Sequence, residues 1–374
     1  MIAAAVMAAS CSPSPLDVIS LAGECSSTPL RYSDIVSRVR YTLLDAGGKA
    51  RLGRILDIER TESYIFVISQ GVEGVLQFDT EGHLLRRISL PESVAPASLA
   101  TDNENRLLTV GCADAMHIYN FSGRHLRKVP LSGSRRWNLR GLASGYLCKI
   151  ALPSVADNAV SYGYPLAEII NYGDSALNIL TYRDTTPERV VKLDIPQLYG
   201  YGGAGTMEIL SPVSDTIFAM DRKEIRPVAT IYPSDAMRYL PGKGRQAHPS
   251  ASESYRIESM RSTPSRIYLQ VCHNDSLVVV SYDRSTGGVS RHKTQCRRDD
   301  YMADYRTFIN DYDGGPGAWG SFPLSDGGYA AMIYPSDRES LHYDKELIAT
   351  RSKELRDALA IGSDMPMVMF IDFK

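Results

Sequence analysis

The stretch Phe78–Leu90, FDTEGHLLRRISL, is followed by a similar stretch at Tyr119–Leu131, YNFSGRHLRKVPL. In both, an aromatic strand end leads through a glycine turn into a run with alternating apolar and basic residues. Gly82 and Gly123, which make the two turns, are 41 residues apart. Glycine is favoured there because tight hairpin turns need positive φ. A repeat of this length is typical of a four-stranded propeller blade, about 40–50 residues.

Short strand-like runs continue on both sides of these two turns. Each has five to seven residues, is rich in β-branched and aromatic side chains, and is bounded by turn residues. In the first two units these runs are Gly53–Glu59, Tyr64–Ile68, Val75–Asp79, His83–Ile88, Ala97–Asp102, Arg106–Val110, Met116–Tyr119 and His125–Val129. Looser copies follow to the end of the chain. The pattern predicts an all-β, six-bladed β-propeller over 33–374, as a single domain.

Three segments depart from the strand pattern. Tyr343–Ala360 places Leu347, Leu355 and Leu359 at helical spacing and predicts a short helix stopped by Gly362. Tyr239–Ser254 is rich in Gly, Pro and Ser and predicts a surface loop. Gly200–Gly205, GYGGAG, lacks the Lys-Ser/Thr of a phosphate-binding loop and is interpreted as a flexible loop, so no cofactor-binding residues are assigned.

Charge and composition bound the functional classes. The 374 residues have a formal net charge of −2 and a pI near 6.4. Basic residues occur in pairs rather than patches, and a nucleic-acid partner is therefore not expected.

The N-terminus has the features of an export signal. Met1–Ala9 is almost wholly small or apolar and leads into Ala-Ala-Ser-Cys, ending at Cys11. Small residues before a cysteine resemble the lipobox of bacterial lipoproteins, which implies a signal peptide over 1–11 and acylation of Cys11. Residues 12–32 are then a tether, and the membrane is reached only through the lipid anchor. The alternatives are an ordinary secretory signal and a chance alanine-rich start.

Asp311 and Asp313 are the sharpest candidates for chemistry. They stand in Asn-Asp-Tyr-Asp-Gly-Gly, starting at Asn310, and lie on one face if the segment is a strand. Two carboxylates there could bind a divalent cation such as calcium. The alternative is a β-turn closed by side-chain hydrogen bonds, with glycine at positive φ. Nearby Trp319 could stack on a ring at the mouth of the propeller, or pack in the core.

The cysteines and histidines form no recognised motif. The six cysteines include no Cys-x-x-Cys pair, and Cys112 and Cys148 are predicted to be small core residues rather than a disulfide. The seven histidines are scattered, and no Gly-x-Ser-x-Gly nucleophile motif is present. No catalytic residue is therefore assigned.

Several segments resemble the six-bladed β-propeller lipoproteins of Bacteroidales, which are similar in shape to NHL-repeat propellers. They are YSDIVSRVRYTLLD (Tyr32–Asp45), LGRILDIERTESYIFVIS (Leu52–Ser69), GVLQFDTEGHLLRRI, SDTIFAM, RPVATIY, NDYDGGPGAW (Asn310–Trp319) and MPMVMFIDFK. The resemblance covers nearly the whole chain after Ser33. It implies a cell-envelope location, outer-membrane or periplasmic, and it carries no catalytic residues.

Two functional hypotheses follow. The first is an exported, lipid-anchored binding or protein-interaction module, with a protein or glycan as its partner. The second is a metal-assisted hydrolase of the lactonase-like kind, which needs carboxylate and amide ligands converging on the central axis. An axis lined by tyrosine and arginine favours the first, and three or more convergent ligands favour the second. The propeller fold itself does not decide between them.

Overall fold

The computed structural model describes residues 16–91, 94–131, 137–142, 145–152, 159–160, 165–181, 191–192, 198–203, 205–211, 214–232, 255–273, 276–297, 302–361 and 364–374. Within them the strands form six sheets of four or five strands and one two-stranded ribbon. The prediction of an all-β, six-bladed propeller with short helices near the C-terminus is confirmed. The predicted lipidation residue Cys11 and the predicted loop Tyr239–Ser254 lie outside the described residues.

The strands are numbered in chain order. Two strands come before blade 1 in the chain: β1 (Asp17–Ser20) and β2 (Val36–Leu43). Blades 1 and 2 contain β3 (Ile55–Arg60), β4 (Ile65–Ser69), β5 (Val75–Phe78), β6 (Leu84–Ile88), β7 (Ser98–Asp102), β8 (Leu107–Gly111), β9 (Ala115–Asn120) and β10 (His125–Pro130). Blade 3 contains β11 (Trp137–Gly141), β12 (Tyr146–Ala151), β14 (Pro165–Asn171) and β15 (Ala176–Thr181). A separate two-stranded ribbon pairs β13 (Ala159–Val160), which lies between β12 and β14 in the chain, with β16 (Val191–Lys192), which follows β15.

The second half of the ring follows the same plan. Blade 4 contains β17 (Leu198–Gly203), β18 (Thr206–Leu210), β19 (Thr216–Met220) and β20 (Ile225–Tyr232), and blade 5 contains β21 (Tyr255–Ser262), β22 (Arg266–His273), β23 (Ser276–Asp283) and β24 (Val289–Arg297). Blade 6 is built from β25 (Phe322–Pro323), β26 (Tyr329–Ile333), β27 (Met367–Phe373) and, outermost, β2.

The first strand of each blade lies nearest the central axis. Strand β3 contacts β7, β7 contacts β11, and β17 contacts β21, so the inner strands of neighbouring blades line the middle of the ring. Blade 6 closes the ring with strands from both ends of the described chain, since β2 pairs antiparallel with β27 from Val36 opposite Phe373 to Leu43 opposite Met367.

The apolar runs found in the sequence are buried because blades pack face to face. Ile58, Val67 and Leu76 of blade 1 share a cluster with Met332 and Phe370 of blade 6. Central strands such as β4 and β26 are buried along their whole length, whereas the outer strand β6 is mostly exposed. Burial on both faces explains runs that are continuously apolar rather than strictly alternating.

The chain before β2 follows the outside of the propeller. Strand β1 adds to the outer edge of blade 4, parallel to β20, and Ser26 then bridges to His292 of blade 5. Arg31 bridges to Ile309 before the short helix α1 (Tyr32–Ile35). Residues 16–32, predicted as part of a tether, therefore pack along blade 4, blade 5 and the segment that precedes β25. We call residues 17–31 the peripheral strap.

The helices near the C-terminus lie between β26 and β27. They are α2 (Pro335–Arg338), α3 (Lys345–Arg351) and α4 (Lys353–Ala360), preceded by a 3₁₀ turn at Ala303–Tyr305. The single helix expected over Tyr343–Ala360 is divided at Ser352, whose hydroxyl accepts a hydrogen bond from the Leu355 amide and caps α4. Asp344 caps α3 in the same way. A residue that caps a new helix interrupts the one before it.

The sequence predicted a flexible loop over Gly200–Gly205. This prediction is wrong over Gly200–Gly203, which forms part of the inner strand β17. Glycine is needed here for close approach rather than for a turn. A Cβ on Gly200 would stand 2.6 Å from the Tyr329 hydroxyl oxygen and 2.8 Å from the Ser262 amide nitrogen. The glycine therefore lets blade 4 meet blades 5 and 6 at the axis.

Candidate functional site

A buried ion pair links the inner strands of blades 1 and 3. Both terminal nitrogens of Arg140 donate to the carboxylate of Asp57, at 2.8 and 3.1 Å. The same carboxylate accepts the Leu99 amide of blade 2 at 2.7 Å, and Arg140 also donates to the hydroxyl of Tyr199 in blade 4. Burial lowers the pKa of Arg140, and Asp57 raises it. The net effect is that the pKa of Arg140 lies well above its ordinary value. This group joins four blades.

A second buried carboxylate lies two residues further along β3. Glu59 accepts hydrogen bonds from the Ser325 hydroxyl at 2.7 Å, the Ser325 amide at 3.0 Å and the Thr101 hydroxyl at 3.3 Å. Glu59 is fully buried. Burial raises the pKa of Glu59 from 4.5 to about 8, against the opposing effect of Arg140. The folded protein therefore holds a proton on Glu59 at neutral pH.

A third carboxylate joins blades 4, 5 and 6. Glu208 pairs with Arg284 at 2.6 Å and accepts the hydroxyl of Ser262. The Ser262 backbone in turn exchanges hydrogen bonds with the Tyr329 hydroxyl, at 2.9 and 3.0 Å. Each of these three carboxylates is thus occupied by groups of the protein. Within the described ranges, no group of three or more His, Cys, Asp or Glu side chains is arranged to hold a metal ion.

An open cavity of about 430 Å³ lies beside these networks, between the inner strands of blades 3 to 6. This axial cavity has a volume within the usual range of small-molecule sites. It is lined by Asn138, Ile150, Leu152, Leu198, Tyr199, Glu258, Ser259, Met260, Arg261, Gln270, Asp304, Trp319, Ser321 and Pro323.

Arg261 is the one cation among the described residues that line the axial cavity, beside the carboxylates Glu258 and Asp304. Its side chain lies between two aromatic rings, with the guanidinium carbon 5.2 Å from the ring centre of Trp319 and 5.1 Å from that of Tyr329. One terminal nitrogen, Nη1, donates to the Met260 carbonyl at 2.7 Å, and Nε is buried with no hydrogen-bond partner. Burial lowers the pKa of Arg261 below its ordinary value.

Asn138 and Tyr199 supply the neutral polar part of the wall. One end of the Asn138 side-chain amide bonds the Tyr199 hydroxyl at 2.9 Å, and the other end is buried without a partner in the described structure. The oxygen and nitrogen of such an amide are assigned from hydrogen bonding, so either end could face the cavity. The unpartnered end has almost no exposed surface, so the Asn138 amide forms the wall mainly through its bond to Tyr199.

Trp319 is both a core residue and part of the cavity wall. Its side chain is 1% exposed and stacks on Phe308 at 5.5 Å, while Arg261 covers it from another side. The indole nitrogen is buried without a hydrogen-bond partner in the described residues. Its rings are occupied by protein neighbours, which supports the core alternative more than stacking on a ligand.

Asp311 lies away from the axial cavity, beside the start of the outer strand of blade 6. It accepts hydrogen bonds from the Ser33 amide at 2.9 Å and the Ser33 hydroxyl at 2.8 Å, and pairs with Arg31 at 3.4 Å. Burial raises the pKa of Asp311, but the bonds from Ser33 and Arg31 outweigh it and lower the pKa below its ordinary value. Its side chain thus fixes the end of the peripheral strap.

Asp313 lies in a turn closed by side-chain hydrogen bonds, which is the alternative to a cation site for this segment. The Asn310 side-chain oxygen accepts the amides of Tyr312 and Asp313, and Gly314 has φ of +82°. The Asp313 carboxylate accepts the Tyr41 hydroxyl and the Asn310 side-chain amide. Binding of a cation by Asp311 and Asp313 stays a prediction, since both carboxylates already have protein partners.

Sequence reasoning missed Arg261, Tyr199 and Asn138. Arg261 follows Met260 on a strand, and the local sequence looks the same whether such an arginine is buried in a site or exposed at a sheet edge. The five described cysteines, by contrast, are all thiols outside disulfides, with Cys112 and Cys148 buried in the core as expected.

Comparison with known proteins gives the fold and no more. No protein-family model and no curated protein matches the chain. It is similar to a Bacteroides fragilis protein thought to be exported, at 13% identity and a TM-score of 0.60, over 96% of this chain and 99% of the other. A member of the DUF4221 family from Bacteroides vulgatus matches at 11% identity and a TM-score of 0.46, over 91% and 97%. The calcium-binding protein regucalcin from Agrobacterium tumefaciens matches at 12% and 0.44, over 93% and 97%.

At these identities the comparisons support the propeller part of the resemblance to Bacteroidales lipoproteins. Family membership, the NHL-like relation and the lipid anchor stay proposals. Within the described residues, no helix is both long and apolar enough to span a membrane.

Proposed function

We propose that the protein is an exported, lipid-anchored binding module of a bacterial cell envelope, and that its ligand enters the axial cavity. The ligand is a small molecule, or the terminal part of a protein or glycan. The observation that carries the proposal is the lining of the cavity, where Tyr199, Arg261 and Trp319 come together. Such a wall favours binding over metal-assisted hydrolysis, because the carboxylates Asp57, Glu59 and Glu208 are already held by blade-to-blade hydrogen bonds.

Filling the cavity mouth tests where the ligand binds. Ser321 is exposed at the rim, and Ser321→Trp places a large ring there without opening the core. A panel of glycans, peptides, nucleosides, lactones and divalent cations is screened by thermal shift. A ligand at one hundred times its Kd stabilises the folded state by about 2.7 kcal/mol, and its shift is expected to disappear in Ser321→Trp.

The matched control is Ser63→Trp, at an exposed serine of blade 1 outside the cavity lining, which keeps the shift. If Ser321→Trp responds like the wild type, the ligand binds elsewhere and the proposal fails. A shift produced by calcium alone, and lost when Asp311 and Asp313 are replaced by alanine, would favour the hydrolase alternative instead.

The lipid anchor has its own test. Acyl chains on Cys11 would hold the protein on a membrane, since stable anchoring needs more than one chain. In a bacterial host, the wild type is expected in the membrane fraction and Cys11→Ser in the unanchored fraction. Cys25→Ser, at the other cysteine near the N-terminus, leaves the distribution unchanged. Equal fractionation of wild type and Cys11→Ser would exclude lipidation at Cys11.

A further inference from the structure

Arg261 differs from Arg60 and Arg140, the other buried arginines of the described residues, and from the half-buried Arg284. Arg60 pairs with Asp326 and Asp372, Arg140 with Asp57, and Arg284 with Glu208. Arg261 is 7% exposed, and within the described residues it forms no ion pair. The charge of Asp304 acts on Arg261 from a distance and raises its pKa, but no described carboxylate is in contact with the guanidinium, and burial of a charge costs several kcal/mol in real proteins. The aromatic faces of Trp319 and Tyr329 offset only part of that cost.

The geometry leaves one edge of the guanidinium without a protein partner. The two rings hold its position, and Nη1 is used by the Met260 carbonyl. Neither Nε nor Nη2 donates a hydrogen bond to any described residue. Nε has almost no exposed surface, so Nη2 is the nitrogen that a ligand in the cavity can reach, and a carboxylate is a strong acceptor for such a charged donor.

We propose that Arg261 is the anion-recognition residue of the axial cavity and binds the carboxylate of a small monoanionic ligand. This inference rests on the proposed function and adds the ligand class to it. The carboxylate of the ligand supplies a counter-ion in direct contact with Arg261, and Asn138 and the apolar wall around Leu152 and Leu198 contact the rest of the ligand.

The charge of the ligand is limited by two further residues of the wall. Asp304 and Glu258 also line the cavity, and Asp304 is exposed at its rim, where it accepts the Ser321 hydroxyl at 3.1 Å. Glu258 pairs with Arg256. A dianion such as phosphate would meet these carboxylates while gaining only one guanidinium. A single negative charge is therefore the best match.

The test compares matched ligands and matched variants. Small aliphatic and aromatic carboxylates are measured beside their neutral amides by thermal shift and calorimetry. The wild type is expected to bind a carboxylate and not its amide. Arg261→Met is expected to weaken carboxylate binding by at least about thirtyfold, the low end of the loss for breaking a buried charge pair. Arg261→Lys keeps the charge without the fork and binds with intermediate affinity.

Controls separate recognition from a structural role. Arg226→Met, at an exposed arginine of blade 4, leaves binding unchanged. Ligand-free Arg261→Met is expected to melt at the wild-type temperature or above it, because an uncompensated charge is removed. A clearly lower melting temperature would assign Arg261 to packing of Trp319 and Tyr329, and would count against the inference.

The outcomes also separate the two proposals. If Ser321→Trp abolishes ligand binding and Arg261→Met leaves it unchanged, the cavity is the binding site and the carboxylate inference is wrong. Equal binding of acids and amides, or preferred binding of inorganic phosphate, overturns it as well. If no ligand depends on Ser321, both proposals fail.

Discussion

Asp57→Asn is expected to lower the free energy of unfolding by about 3–5 kcal/mol, the usual loss when one partner of a buried ion pair is removed. The substitution leaves Arg140 charged and enclosed, with the hydroxyl of Tyr199 and the Leu99 carbonyl as its remaining hydrogen-bond partners among the described residues. It also weakens the bond from the Leu99 amide, which ties blade 1 to blade 2. Denaturant unfolding of the wild type and the variant measures the difference.

A double variant shows whether the loss comes from the uncompensated charge. Asp57→Asn combined with Arg140→Met removes both charges, and it is expected to be more stable than Asp57→Asn alone. Asp34→Asn, at an exposed carboxylate on α1, should change stability by no more than about 0.5 kcal/mol. If the double variant is the less stable of the two, the pair does not act through charge compensation.

Glu59 is expected to make the protein less stable as the pH rises from 5 to 8. Because burial raises the pKa of Glu59 from 4.5 to about 8, the folded state keeps a proton that the unfolded state releases in this window. The stabilising contribution is complete below pH 4.5 and is lost as the pH rises through 8. Over the window the loss is on the order of 4 kcal/mol. Glu59→Gln removes the titrating proton and should flatten this part of the stability curve.

The control is Glu62→Gln, at an exposed glutamate three positions further along the chain, which leaves the pH dependence unchanged. Asp57→Asn provides a second check on Glu59. Asp57 raises the pKa of Glu59, whereas Arg140 lowers it. Removing the Asp57 charge should therefore move the pH window of Glu59 downwards. Identical pH profiles for wild type and Glu59→Gln would show that Glu59 is ionised in the folded state.

The blades were predictable where their signals are local. The turns at Gly82 and Gly123 need positive φ, and both glycines have it, at +89° and +81°. The runs Tyr64–Ile68 and Val75–Asp79 correspond to β4 and β5. A turn glycine and a β-branched strand act within a few residues, so the sequence displays them directly.

Gly200–Gly203 shows where local signals mislead. Glycine weakens an isolated strand, and four residues of Gly-Tyr-Gly-Gly therefore suggest a loop. The strand exists because Tyr329 and Ser262 approach the backbone at Gly200, a contact between residues that are far apart in sequence. Ser352 is a milder case, where an unrecognised cap divides one expected helix into two.

The candidate site was only partly predictable for the same reason. Trp319 was recognised because tryptophan is rare in this chain. Arg261, Tyr199 and Asn138 come from three different blades and become neighbours only when the ring closes. Asp311 and Asp313 drew attention as a compact acidic motif, but in the fold they stabilise a turn and the peripheral strap.

The pairing of β2 with β27 affects the timing of folding. The two strands are separated by on the order of 300 residues, and closing so large a loop costs conformational entropy before any contact repays it. Contacts of such long range slow folding, so we expect the seam of blade 6 to form last. Until it forms, the edge of β27 is open to pairing with another chain. Once it is closed, β27 is paired on both edges, with β2 on one side and β26 on the other, and we expect this pairing to slow the opening of the native ring.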